Sequence, residues 1–390
     1  MLIGRDVTVL GAGIAGLAVA RALALRGANV TVLEQAEAIR EVGAGLQISP
    51  NGGRVIAALG LEDAFHAASV RSHAAQLLDG VTGAQVALLP MDGAGDGAQY
   101  RLIHRAALIE VLALGAREAG VQIRLLQRVE AVDLAGARPV ITMSTGAQIE
   151  SDLVIGADGL HSKLRAVLNA PQVPFFTNQI CWRAIIPAEV DAAPRAQVFM
   201  GAGKHLVSYP LAGGLRNIVA VEERNRWVEE SYALKDDSLT LRAAFEDFCP
   251  QVQGWLEKVE DPWLWGLFRH PVAEVWGRAL PSGGAAILGD AAHPTLPFLA
   301  QGASMGLEDA WVLADLLAQF EDAEALARYA AARRPRCSRI VTAANRNARN
   351  YHLTGISRAV GHLGLRAISR FAPQKLVQRF DWVYGHDVTA

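Results

Sequence analysis

The segment that most constrains this chain lies at its start. Residues 7–10 (VTVL) form a short β-branched run, and Gly11-Ala12-Gly13-Ile14-Ala15-Gly16 follows at once. From Ile14 to Arg26 the composition switches to Ala and Leu with helical periodicity, Gly27 suits the cap after the last turn, and residues 29–34 (NVTVLE) return to strand character. Strand, loop, helix and strand in that order make a βαβ unit, with parallel strands and a right-handed crossover. Each glycine has a physical reason. Gly11 permits the tight turn, Gly13 lets a pyrophosphate approach the backbone, and Gly16 lets helix and strand pack closely. The phosphates then face unpaired N–H groups at the positive end of the helix dipole. Glu34, at the end of the second strand, is placed to accept hydrogen bonds from an adenosine ribose and would repel a 2′-phosphate, which points to an NAD-like or FAD-like ligand.

Spacing within this unit does not separate NAD from FAD; two later segments do. Gly156-Ala157-Asp158-Gly159-Leu160-His161-Ser162 follows the apolar run DLVI, and Gly289-Asp290-Ala291-Ala292-His293-Pro294 follows AAIL. Each reads as an exposed acid at the carboxyl end of a buried strand, where open α/β sheets bind ligands. Asp290 suits the hydroxyls of a ribityl chain, which FAD has and NAD lacks. Pro294 and Pro297 stiffen the loop leading to Gln301-Gly302-Ala303, whose N–H groups at a helix start would stabilise an anionic reduced flavin ring.

Several function classes are excluded early. The formal net charge is −2, without the basic excess of a nucleic-acid binder. The three cysteines, Cys181, Cys249 and Cys337, are far apart in sequence, and no CxxC, Cys/His cluster or HExxH occurs, so neither a disulfide framework nor a metal site is expected. The apolar stretch from Val7 to Leu25 contains Arg21 and three regularly placed glycines and lacks a basic lead, so it reads as the buried βαβ unit. A cytoplasmic protein without a membrane span is the expectation.

Aromatic residues divide the chain. Before residue 175 only Phe65 and Tyr100 occur, whereas all eight Trp lie from Trp182 to Trp382. Residues 51–60 and 105–119 read as helices, and 121–126, 129–134, 139–143 and 147–156 as strands. Residues 172–225 are strand-like and aromatic, 238–258 form two short helices around Pro250, and 285–288 form a buried strand. Long helices span 304–319 and 323–348, and the last forty residues read as helical with breaks at Gly361, Gly364 and Pro373. The predicted class is α/β (α+β overall), in two discontinuous domains. Residues 1–69, 101–171 and 270–345 form the nucleotide domain, 70–100 and 172–269 an interleaved antiparallel-sheet substrate domain, and 346–390 a helical C-terminal tail.

Within the aromatic half, Gly201-Ala202-Gly203-Lys204-His205-Leu206-Val207-Ser208-Tyr209-Pro210 carries the catalytic candidates. On a strand, His205, Val207 and Tyr209 face one side. A histidine suits a general base near neutral pH, and deprotonating a phenol supplies the ring electron density that attack on an electrophilic oxygen needs. Tyr209 would orient the substrate or relay the proton. Gln301 is a third candidate, as a substrate contact or beside the flavin. His293 reads as a support for its loop, Arg183 stays open between a substrate carboxylate and a surface ion pair, and the Trp-rich stretch 255–276 reads as packing.

GAGIAG with Glu34, GADGLHSKLR and LGDAAHPTLPFLAQGASMGLEDA resemble the single-component flavoprotein aromatic hydroxylases that share the fold of p-hydroxybenzoate hydroxylase, over nearly the whole chain. GAGLQISPN and WVEESY are most similar to the subgroup of salicylate hydroxylase, 3-hydroxybenzoate 6-hydroxylase and 6-hydroxynicotinate 3-monooxygenase. The resemblance implies a Rossmann-like FAD-binding domain. Gly11, Gly13, Ala15, Gly16, Glu34, Gln35, Arg105, Val129, Asp290, Gly302 and Ala303 would bind FAD, and Asp158 would serve both FAD and a passing nicotinamide cofactor. It also implies a monooxygenase that uses NADH or NADPH and O2 to hydroxylate a phenolic or hydroxypyridine acid through a flavin C4a-hydroperoxide, with His205 and Tyr209 in the active site and a homodimer as the assembly. A flavin that moves is implied too, in keeping with glycines at 43–45 and 52–53. The alternatives are the same flavin chemistry on an alkene or a polycyclic substrate, a NAD-dependent dehydrogenase, and a non-catalytic binding protein of this fold.

Overall fold

The computed structural model describes residues 2–39, 44–92, 99–224 and 234–390. Glycine and small aliphatics at the front of the chain do what their pattern dictates. Strand Asp6–Leu10 is buried from Val7 on, helix Ile14–Ala24 buries nine of its eleven residues, and strand Asn29–Leu33 returns parallel to the first. These lie in a six-stranded sheet ordered Gly277–Leu280, Gly283–Ile287, Leu153–Gly156, Asp6–Leu10, Asn29–Leu33 and Gln122–Arg124. All neighbours are parallel except the edge strand Gly277–Leu280. Parallel sheets are stable when both faces are covered, and helices Ile14–Ala24, Arg105–Glu118 and Gly302–Gln319 pack in the same apolar core.

The aromatic half builds a different sheet. Its eight strands run in the order Leu234–Lys235, Trp263–Arg269, Phe175–Pro187, Leu215–Glu223, Lys204–Leu211, Arg195–Gly201, Ala74–Asp79 and Gln85–Pro90, antiparallel except between Arg195–Gly201 and Ala74–Asp79. One face, carrying Trp182, Phe199 and Leu206, packs under helices Ser238–Ala244 and Pro250–Leu256, where Trp255 meets Phe199 edge-on at 5.6 Å. The other face carries His205, Val207 and Tyr209. This face meets a separate three-stranded antiparallel sheet of Gly45–Ile48, Arg101–His104 and Ser69–Arg71, where Gly45 abuts Tyr209 and Asn217.

Three expectations need correction. Residues 147–156 form two strands: Gln148–Glu150 belongs to a small antiparallel sheet and Leu153–Gly156 to the parallel one. The chain changes sheet at Ser151, whose hydroxyl donates to the Asp6 carbonyl at 3.0 Å. Helix Gly355–Phe371 runs through Gly361 and Gly364 without a break, since a single glycine costs a helix only about 1 kcal/mol. The interruption comes earlier, between Tyr351 and Gly355, and Pro373 opens the short helix Pro373–Gln378, where its missing N–H costs nothing. Gly43 and the stretch WVEESY lie outside the described residues.

Candidate active site

Three motifs far apart in sequence meet at the carboxyl ends of three adjacent parallel strands. Gly11 has φ 96°, and a Cβ there would sit 2.6 Å from the Ala157 carbonyl oxygen, while one on Gly16 would run into Gly11 itself. The Ala157 N–H donates to Leu10 O at 2.9 Å and the Leu288 N–H to Gly156 O at 3.1 Å. Across the junction a Cβ on Gly289 would lie 2.9 Å from that of Ala15. Gly13 differs: a Cβ there would meet nothing within 4 Å. Folding asks nothing of Gly13, so its bare backbone leaves room for a ligand.

Glu34 is already engaged, its two oxygens accepting the N–H of Ala12 at 2.8 Å and of Ala36 at 2.9 Å. It therefore shapes the glycine loop, and each oxygen retains a further lone pair. Gln35 beside it is exposed. The Gln127 N–H donates to the Glu34 carbonyl at 2.8 Å, which delivers Val129 to the same rim. Arg105 opens helix Arg105–Glu118, with its own N–H on Ala44 O at 2.9 Å. Asp290 is exposed at the strand end, as expected, on the short turn Gly289–Ala291.

Asp158 departs from the expected exposed acid. It is half-buried, one oxygen accepting the Lys163 N–H at 2.8 Å and the other, Oδ1, buried without a hydrogen-bond partner. Burial raises its pKa above the usual carboxylate value, against hydrogen bonds that lower it. An unsatisfied buried acceptor is costly, so Oδ1 suits a donor from outside the protein.

The loop through Pro294 and Pro297 ends at Ala300 in the left-handed region (φ 51°), a strained conformation for a residue with a Cβ, and helix Gly302–Gln319 starts immediately after. Gln301 is buried, and its side chain does not cap that helix. Its amide donates to Ser49 Oγ at 2.8 Å and accepts from Asn51 at 3.2 Å. Below it lies a buried ion network: Asn51 donates to Glu308 at 2.6 Å, Arg336 pairs with Glu308 at 2.8 Å, and Arg333 pairs with Asp309 at 2.7 Å. Asp309 also accepts from His293 and from the Gly289 N–H (3.1 Å), so His293 braces the turn that presents Asp290. Folding thus brings His293, Asp309 and Cys337 together although no sequence spacing announced it. The guanidinium of Arg333 occupies this cluster as a cation.

On the facing sheet His205 is buried and ringed by Tyr351 at 5.1 Å, Phe298 at 5.7 Å and His352 at 4.9 Å. Burial, aided by His352, holds its pKa well below the usual imidazole value, which keeps it neutral and able to accept a proton. Tyr209 is buried, its phenol pushed up to about 12 by burial against a smaller lowering from Arg183 and Gln47. Arg183 is no surface ion-pair residue. It donates to Gly45 O at 2.7 Å, lies 4.9 Å over the Trp265 ring, and its Nε is buried without a hydrogen-bond partner. Asn217 donor Nδ2 is likewise unpaired, while its oxygen accepts the Gly45 N–H at 2.7 Å. Unpaired donors therefore gather where this sheet meets the Gly45–Ile48 strand.

A family described as FAD binding domain matches residues 5–344. The chain is 35% identical over 370 residues to a 3-amino-4-hydroxybenzoate 2-monooxygenase of Streptomyces cremeus, covering 90% of this chain and 89% of the relative. It is 31% identical over 396 residues to a 3-hydroxybenzoate 6-hydroxylase of Polaromonas naphthalenivorans, covering 98% and 96%. The crystal structure of Klebsiella pneumoniae HpxO with FAD and uric acid superposes with a TM-score of 0.83 at 23% identity, over 97% of this chain and 96% of that one. The chain belongs to the FAD-binding-domain family.

Membership agrees with the residues present. The open space at Gly13, the unpaired Asp158 Oδ1 and the free first turn at Gly302-Ala303 are the openings that a dinucleotide with an anionic ring would fill. The sequence expectations missed His352, which contacts His205 from 147 residues away. No spacing rule predicts that contact.

Proposed function

We propose that this protein is an FAD-dependent monooxygenase that uses NAD(P)H and O2 to hydroxylate a phenolic or hydroxypyridine acid. The observation that carries this reading is a neutral, buried His205 on the sheet face that meets the FAD-family motifs. Reduced FAD supplies the activation of O2; the protein supplies binding, proton control and exclusion of water. Gly11, Gly13, Ala15, Gly16, Glu34, Gln35, Arg105, Val129, Asp158, Asp290, Gly302 and Ala303 hold FAD in this reading, with 70–100 and 172–269 as the substrate domain. His205 takes the ring hydroxyl's proton. Tyr209, protonated at all working pH values, donates a hydrogen bond to the resulting phenolate, and Arg183 Nε meets a substrate carboxylate. Gln301 sets the loop at the helix start through Ser49 and Asn51. No helix among the described residues is long and apolar enough to cross a membrane. The three buried free thiols suit a reducing, cytoplasmic setting, and the assembly in this reading is a homodimer.

The test is NAD(P)H oxidation with product identification over a panel of phenolic and hydroxypyridine acids. The expected result is a hydroxylated product from at least one of them, lost about 10²–10⁴-fold in His205→Asn, as for removal of a general base. Full hydroxylation by that variant overturns the base assignment, and no hydroxylation of any acid by the wild type overturns the function.

A further inference from the structure

We propose that His352 and Glu223 complete a proton wire that connects the buried base His205 to bulk water. This rests on the reading of His205 as the general base. His205 Nδ1 lies 2.7 Å from His352 Nε2, and His352 Nδ1 lies 2.7 Å from Glu223 Oε1. Both imidazoles are buried, while the Glu223 carboxylate is half-exposed, with a side-chain exposure of 52%.

The chemistry of the end group sets the direction. An ionised carboxylate only accepts, so His352 carries its proton on Nδ1 and turns a lone pair on Nε2 toward His205. His205 must then donate from Nδ1, which leaves its Nε2 as the basic nitrogen. The Gln179 amide nitrogen, 3.3 Å from His352 Nδ1, is in this tautomer a neighbour without a bond. A proton leaving the substrate hydroxyl binds His205 Nε2, and the oxygen keeps the electron pair. The Nδ1 proton of His205 passes to His352 Nε2, that of His352 to Glu223, and Glu223 releases one to water. Returning a proton along the same path protonates the product and restores both tautomers.

Nothing else charged competes for the wire among the described residues. The strand partners of His205 are Met200 and Val221, and its ring neighbours besides His352 are Phe298 and Tyr351, a phenol held protonated to about 12. Nearby Glu222 is paired with Arg224 and Lys204 with Asp247, each at 2.7 Å. Burial lowers the pKa of His352 against the raising pull of Glu223, and burial lowers that of His205, so both imidazoles are neutral at rest.

The experiment uses the oxidised holoenzyme and a phenolic acid that the wild type hydroxylates, and it reads the phenolate absorbance of the bound acid against pH without turnover. Glu223→Gln is the first variant because the site is exposed and the shape is kept; His352→Gln is the second, with thermal denaturation as the folding control. The expected result is that both raise the apparent pKa of the bound phenol by about one unit, roughly tenfold in the ionisation constant. Both should also slow phenolate appearance in stopped flow and enlarge the solvent isotope effect, changes that a purely structural role would not produce. If His205→Asn abolishes phenolate formation while both other variants match the wild type, the wire is wrong and the base stands. If His205→Asn itself leaves phenolate formation intact, base and wire fail together.

Discussion

Two regions of this molecule bury a histidine, and they treat it in opposite ways. Under the Gly289 turn, His293 sits among Asp309, Arg333 and Glu308, every one of them under 2% exposed. Burial opposes charge on its ring, yet Cys337 and Asp309 beside it outweigh that and lift its pKa well above the usual value. On the antiparallel sheet, His205 is as deeply buried but faces rings and a second imidazole, so burial wins and it stays neutral. Under the proposed function the difference separates a bracing group from a working one. The first region is closed by mutual pairing, whereas the second is left able to gain a proton.

The comparison breaks most visibly in stability. Arg333→Met strips the main cation from Glu308 and Asp309, and removing one partner of a buried pair costs about 3–5 kcal/mol. Urea denaturation should show that loss, together with poor FAD retention because the Gly289 turn loosens. His205→Asn takes one buried hydrogen-bond partner from His352 and should cost less, about 1–3 kcal/mol, while removing hydroxylation. If the two variants lose equal stability, the bracing-versus-working distinction is wrong.

Next in size is a contrast within the glycine loop. Gly16→Ala drives a Cβ into Gly11 and should fold poorly; Gly13→Ala meets open space and should keep the apo protein's melting temperature. FAD affinity of Gly13→Ala should nevertheless fall about tenfold or more, since the methyl stands where a pyrophosphate approaches the backbone. A dialysis measurement of bound flavin decides it, and unchanged affinity removes the phosphate from that position.

What the sequence made legible follows the same division. The βαβ unit and both Gly-Asp turns were readable because local rules act there: strand, turn and helix start each leave a mark within a few residues. Arg183 stayed ambiguous because its surroundings, Gly45 and Trp265, come from segments 138 and 82 residues away. His352 was invisible for the same reason. The exposed position expected for Asp158 failed because the helix that follows folds its backbone N–H groups over the carboxylate. The breaks expected at Gly361 and Gly364 failed because the flanking residues are good helix formers.

A smaller effect separates the two histidines by pH. His293, raised in the folded state, contributes stability that is complete below about pH 6.5 and fades as pH rises toward its folded value. His205 is lowered, so the unfolded chain gains a proton below about pH 6.5 that the folded one refuses, and stability falls as pH drops. His293→Gln should therefore lose more stability at pH 5 than at pH 9, whereas His205→Asn should gain on the wild type from pH 7 to pH 5. Urea midpoints for the three proteins at each pH test this, and equal slopes for both variants would contradict the assigned charges.

The mildest change is Tyr209→Phe. The ring stays, so its packing against Gly45 and the core around Leu211 and Tyr384 persists. Only the hydroxyl goes, a group held protonated to about 12 and therefore a donor throughout the working range. A hydrogen bond to a charged acceptor such as a phenolate is worth about 1.5–3 kcal/mol, on the order of 10- to 100-fold in an equilibrium constant. If Tyr209 orients the phenolate, KM should rise by about that factor while the pH dependence set by His205 stays where it was. If Tyr209 instead passes the proton, the rate of phenolate formation falls and its pH profile moves, as in Glu223→Gln. Measuring KM and that profile on one variant therefore assigns the proton either to the imidazole wire or to the phenol.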